Sequence, residues 1–189
     1  MNIFHLHEDP DICAYWHIDK HIVKMPTEYA QLLSTAHRML DGEKYILEKK
    51  DKNDRVRKVQ RWRLNDNRED TVYQACHFNH PSTIWTRASK DNYLYLFDLY
   101  KAAINEYTRR YGKKHGASRP MEYLATPPSN IPSEGLQELP QAMNMYPQCK
   151  VPNNPILAYR NYYNIAKAGF AKWKHNDIPP WFKPGQLCT

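Results

Sequence analysis

Apolar positions along the chain fall into three long runs stepped by three and four residues. From Asp9 to Leu40 the run is Ile12, Tyr15, Ile22, Met25, Tyr29, Leu32, Leu33, Ala36 and Leu40, the mark of one long helix that buries a single face. Asp9-Pro10 opens it with a side-chain acceptor and a proline whose missing N–H costs nothing at that position, and Asp41-Gly42 ends it. Pro26 removes one backbone hydrogen bond and bends the helix midway. A second helix runs from a Ser89 cap to Tyr111, with Tyr93, Leu96, Tyr100, Ile104 and Tyr107 facing inward and Gly112 as its stop. A third starts at Asn154-Pro155 and turns Ile156, Tyr159, Tyr163, Ala166, Phe170 and Trp173 toward the core.

The stretches between these runs read differently. Met1 to Leu6 alternates loosely, as an extended lead-in with His5 and His7 on one side. Residues 43–70 carry little apolar material and form an excursion, a hairpin or a short helix. Thr71 to Phe78 reads as a short helix or buried segment that leads into a turn at Asn79-His80-Pro81-Ser82. Seven prolines keep 113–153 out of regular structure, so this segment wraps the body as extended chain, and Ile178 to Phe182 plugs against the core. The pattern predicts one domain over 1–189, mainly α: a compact helical bundle with long irregular connections and little or no sheet.

The polar pattern of the first helix is the unusual one. His17, His21, Lys24, Glu28, Gln31 and Thr35 step by four and three into one row, with Asp19 and Lys20 beside its start. A wet stripe is built from Lys, Glu and Arg; two histidines, an amine and a carboxylate mark the floor of a site. Lys24, Glu28, His17, His21 and Asp19 are therefore the candidate catalytic residues. Lys24 and Glu28 also fit a plain ion pair worth about 0.3–0.5 kcal/mol. His17 and His21 have the spacing of two metal ligands, but no third acidic ligand is evident, so no metal and no cofactor is expected. Four scattered cysteines argue against a zinc knuckle or a disulfide framework, and there is no phosphate-binding or dinucleotide-binding glycine pattern.

Charge adds a partner. The net charge of +7 is uneven, since residues 1–42 hold three Lys/Arg against six Asp/Glu, while 52–63 hold six against one. A basic lobe beside a histidine-rich helix points to nucleic acid or a nucleotide, although a solvated basic loop would show the same charge. Arg55, Arg57, Lys58, Arg61 and Arg63 are the candidate phosphate contacts, and Trp62 between arginines either stacks on a base or anchors the excursion to the body. Asn79, His80 and Arg87 at the turn join them. No apolar run is long enough for a membrane span and no signal-peptide pattern opens the chain, so the expectation is a soluble protein of the cytoplasm.

The order of these features resembles the pyrimidine-dimer DNA glycosylase/AP lyases, the endonuclease V type of T-even bacteriophage. The likeness rests on N-I-F-H-L-H at Asn2–His7, on His17 and Met25-Pro26 in the first helix, and on Asn79-His80-Pro81. It continues through Arg109-Arg110-Tyr111-Gly112 and the aromatic helix Tyr159 to Trp173, with 43–70 and 113–153 as insertions. Asp19–Met25, Ala30–Arg38 and Phe78–Trp85 are also similar to uncharacterised small proteins of tailed phages, which would place the chain in a host cytoplasm. The resemblance implies an N-terminal amine that forms a Schiff base with a sugar carbon, and a glutamate one residue before the leucine of an L-P step. Here that position holds Lys24, and the bulk of Asn2 disfavours removal of Met1. The expected amine is then Lys24 or the N-terminus, with Glu28 one turn on as acid/base and His17 and His21 on the turns before. Two alternatives stand beside it: an enzyme that modifies a base or free nucleotide with the same polar residues, and a non-catalytic phage-type protein whose basic excursion binds nucleic acid or a host protein.

Overall fold

The first apolar run folds as two helices rather than one. In the computed structural model, which describes residues 1–188, α1 spans Pro10–Tyr15 and α2 spans Asp19–Asp41. The Asp9 carboxylate caps α1, accepting from the amides of Asp11 and Ile12 at 2.8 and 3.0 Å. Between the helices Ile18 is extended and fully buried. Bonds from distant segments hold the break: the Asp19 amide donates to the Lys172 carbonyl at 2.8 Å, and Arg110 donates to the Tyr15 carbonyl at 2.8 Å. A helical period continues across such a break, which is why the apolar spacing did not reveal it.

The two antiparallel strands β1, Glu43–Lys50, and β2, Val56–Arg63, make the excursion a hairpin, with Glu43 opposite Arg63 and Lys50 opposite Val56. Gly42 starts it because a Cβ there would collide with the Arg38 carbonyl and crowd that of Arg63. Residues 71–80 form no helix, though Val72 and Ala75 are buried. Pro81–Ala88 then form α3, which the turn signal at Asn79–Ser82 did not announce as a helix. Next comes α4, Lys90–Tyr111, capped by Ser89 and ended by a left-handed Gly112 (φ 63°). The proline-rich segment contains only the four-residue α5, Met121–Leu124, and isolated tight turns. The last helix, α6, covers Pro155–Tyr162, widens into a π turn over Tyr163–Lys167 and ends by Phe170, short of Trp173.

The core lies between α2 and α4, with α1 across α4 and α3 against both. Tyr29, Leu32, Leu33 and Ala36 meet Tyr93, Leu96, Leu99, Tyr100 and Ala103. The segment before α1 threads this core without regular structure: Ile3, Phe4 and Leu6 are at most 5% exposed. The result is a mainly α fold whose single sheet, among the described residues, is the hairpin. No helix there is long and apolar enough to cross a membrane.

Two histidines are structural members of this core. His17 is fully buried; its Nδ1 is 2.6 Å from the Cys13 carbonyl and its Nε2 2.9 Å from the Tyr29 hydroxyl. A carbonyl only accepts, so Nδ1 carries the proton and Nε2 accepts from Tyr29. His37 accepts from Arg68 on Nδ1 at 2.8 Å and donates from Nε2 to Tyr93 at 2.7 Å, and Tyr93 donates onward to the Leu124 carbonyl. Burial holds both neutral, with pKa values down to about 4. Their folded pKa values lie below the ordinary 6.5, so the unfolded chain binds more protons between pH 4 and 6.5. Stability is therefore complete above about pH 6.5 and falls as the pH drops toward 4, by about 3 kcal/mol for each imidazole. Urea midpoints measured from pH 7 to 4.5 are expected to fall steadily, and less steeply in His17→Gln; a flat profile would contradict this account.

Candidate active site

The polar row converges on the N-terminus. A cleft of about 160 Å³ is lined by Met1, Asn2, Phe4, His21, Lys24, Met25, Glu28 and Lys167. At its centre the Glu28 carboxylate, 13% exposed, lies between two amines: Lys24 Nζ at 2.8 Å and the Met1 amino group at 4.0 Å. Lys24 and Glu28 are one turn apart on α2 and so face the same way. Met1 is held over them because Ile3, Phe4 and Leu6 are anchored in the core and because Ser82 donates to the Met1 carbonyl at 3.3 Å. His21 forms one wall, stacked on Phe4 with ring centres 4.2 Å apart and bonded through Nδ1 to the Tyr163 hydroxyl at 2.6 Å. Burial, reinforced by His17, Lys167 and Lys24, pushes its pKa well down, so it stands as a neutral imidazole.

The turn before α3 does not line the cleft but adjoins it through the Ser82 bond to the Met1 carbonyl. His80 caps that helix, its Nδ1 accepting from the Ser82 amide at 3.2 Å. Its pKa is lowered by burial and by the Met1 amine, with Glu28 acting in the other direction. Farther along the row Thr35 accepts from the Cys76 amide at 3.2 Å and donates to the Gln31 carbonyl at 2.7 Å. Burial raises the Cys76 thiol, and its hydrogen bond with Thr35 acts in the other direction.

Several predicted site residues lie elsewhere. The break before α2 turns His17 into the core, where it braces Tyr29 and does not line the cleft. Asp19 pairs with Arg110 at 3.0 Å and accepts from the Lys174 amide at 2.9 Å, so it fastens the chain at the same break. Trp62 is 6% exposed and packs edge-on against Phe78 at 5.2 Å. It anchors the hairpin and presents no face to a base. Arg87 is half-buried and donates to the Phe78 carbonyl at 2.8 Å, which holds the turn. Arg55, Arg57, Lys58 and Arg63 are exposed along the hairpin, Arg61 is half-buried at its foot, and Asn79 is exposed. Among the described residues no three His, Cys, Asp or Glu side chains converge as a metal site.

Lys167 is a cleft residue that the sequence did not single out. It lies at the end of the π turn and lines the cleft, with its Nζ 4.5 Å from the Tyr162 ring centre. Such widened turns recur at functional sites, but nothing in the spacing announces one. A larger cleft of about 610 Å³ lies beyond the N-terminal segment, walled by His5, Trp85 and Tyr95. Alternation along Met1–Leu6 puts Phe4 on the small cleft and His5 on the large one. The large cleft has no amine beside a carboxylate, so size and chemistry part company here. Compared with protein-family models, with curated proteins and with solved structures, the chain matches none.

Proposed function

We propose that this chain is a nucleic-acid-acting enzyme of the DNA glycosylase/AP lyase kind, whose nucleophile is one of the two amines held by Glu28. The observation that supports it is the meeting of the Met1 and Lys24 amines on one poorly exposed carboxylate. An amine at this position attacks the aldehyde carbon of an abasic sugar, and water leaves as the Schiff base forms. Glu28 then takes the proton from the neighbouring sugar carbon while the 3′ phosphate departs with the electron pair. His21, neutral and fixed by Tyr163, bounds the sugar, and Lys167 supplies positive charge near the departing phosphate. The volume favours a polymer over a free nucleotide. Sites that enclose a small molecule run to about 300–1,000 Å³, whereas about 160 Å³ suits the reacting end of a strand held elsewhere.

The test is borohydride trapping on an abasic oligonucleotide, followed by peptide mapping. A covalent adduct on Met1 or on Lys24 is expected, with loss in Lys24→Ala if Lys24 carries it and with persistence if Met1 does. No adduct on either amine would sink the reading.

A further inference from the structure

The hairpin has the form of a reading element, and this inference rests on the nucleic-acid part of the function proposed above. Its strands are exposed for most of their length on both faces, apart from the Trp62 anchor. Directly opposed residues share a face, so Tyr45/Arg61, Leu47/Val59 and Lys49/Arg57 lie on one side, and Ile46/Gln60, Glu48/Lys58 and Lys50/Val56 on the other. Cations therefore occur on both faces. A ribbon built to lie flat on a protein has one apolar face, and this one has none. The apolar side chains it does expose, Ile46 at 54%, Leu47 at 40% and Val56 at 56%, are divided between the two sides. Three of its four carboxylates are already engaged: Asp51 with Arg57 at 3.3 Å, Asp54 with Lys50 at 3.4 Å and Glu48 with Lys58 at 3.9 Å. Exposed pairs of this sort are worth less than about 1 kcal/mol, so phosphate displaces them readily.

We propose that β1 and β2 enter the major groove of B-form duplex DNA edge-on as a two-stranded ribbon, with the cations of each face turned to one phosphate wall. Dimensions select this partner. Eight residues per strand span about 27 Å, close to eight base-pair steps, and a groove about 12 Å wide admits a two-stranded ribbon. The deep, narrow major groove of A-form RNA does not. Position agrees with this, because Trp62 at the foot of the ribbon packs on Phe78, and the turn that follows Phe78 reaches the Met1 carbonyl through Ser82. A duplex held by the ribbon thus passes beside the cleft.

Fluorescence anisotropy tests it with a 24-base-pair DNA duplex, the RNA duplex of the same sequence, and single-stranded DNA. Wild type is expected to bind duplex DNA at least tenfold more tightly than duplex RNA. The triple variant Lys49→Ser, Arg57→Ser, Lys58→Ser is expected to keep its thermal midpoint, lose at least tenfold of duplex affinity and lose about 2–3 from the log–log salt slope. Equal affinity for the two duplexes, or unchanged DNA binding in the variant, would overturn the assignment. Borohydride trapping on a short single-stranded abasic oligonucleotide separates the two readings. An adduct kept by the variant while duplex preference is lost supports the ribbon. No adduct in wild type with duplex preference intact overturns the lyase chemistry and supports the ribbon.

Discussion

On the lyase chemistry proposed above, Glu28→Gln is expected to lower strand cleavage at an abasic site by about 100- to 10,000-fold, the span that a positioned acid/base contributes. The amide keeps the shape of the carboxylate and removes both its charge and its capacity to take a proton. Little else should change. Lys24, the closer partner, is 69% exposed, and an ion pair of that kind contributes below about 1 kcal/mol, so the thermal midpoint should move by no more than a few degrees. The two chemical steps should separate. Schiff base formation depends on the amine, so borohydride still traps an adduct, whereas single-turnover cleavage, which needs the proton removed, slows. Cleavage by Glu28→Gln at the wild-type rate would remove Glu28 from the mechanism.

What could be read from the sequence follows from which interactions are local. The cores of α2 and α4 were legible because their apolar residues repeat with the helix, and Ser89 and Gly112 sit at the ends of α4 as local capping chemistry requires. Lys24 and Glu28 were legible for the same reason, being one turn apart. The break at Trp16–Ile18 was not, since its support comes from Arg110 and Lys172 far along the chain. His17 was misplaced by that one omission. Of the two roles open to Trp62, its arginine neighbours favour stacking on a base and its place in the strand favours the anchor. In a strand, alternation sends Arg61 and Arg63 to the face opposite Trp62, which leaves the tryptophan turned to the body. Lys167 depends on a widened turn that no period encodes. The approach of the Met1 amine to Glu28 was not legible, because it depends on three buried residues, Ile3, Phe4 and Leu6, too few to show a period.

Arg38→Ala is expected to cost about 3–5 kcal/mol, the largest loss of stability from any single substitution considered for this chain. Arg38 is fully buried near the end of α2. Its Nε donates to the Tyr73 carbonyl at 2.7 Å, Nη1 to the Trp62 carbonyl at 2.9 Å and the Glu69 carboxylate at 2.7 Å, and Nη2 to the carbonyls of Glu69 at 2.7 Å and Val72 at 3.1 Å. The same Glu69 oxygen accepts from the Leu64 amide at 2.8 Å, so one guanidinium joins α2, the end of β2 and the chain that follows it. Alanine leaves those acceptors without a donor and the part-buried Glu69 carboxylate without its cation. For a 189-residue chain the thermal midpoint should fall by roughly 6–20 °C. Arg38→Lys should recover only part of this, because one ammonium cannot span acceptors arranged around a planar fork. Exposed hairpin cations set the contrast, with Arg55→Ala expected within about 0.5 kcal/mol of wild type. The loss should also be local in its first effect. Hydrogen exchange at residues 44–62 should quicken in Arg38→Ala before the rest of the fold opens, since the guanidinium is what fastens the Trp62 carbonyl to α2. A variant that melts within two degrees of wild type, or whose hairpin amides exchange no faster, would mean that the anchor lies in Trp62–Phe78 packing and not in Arg38.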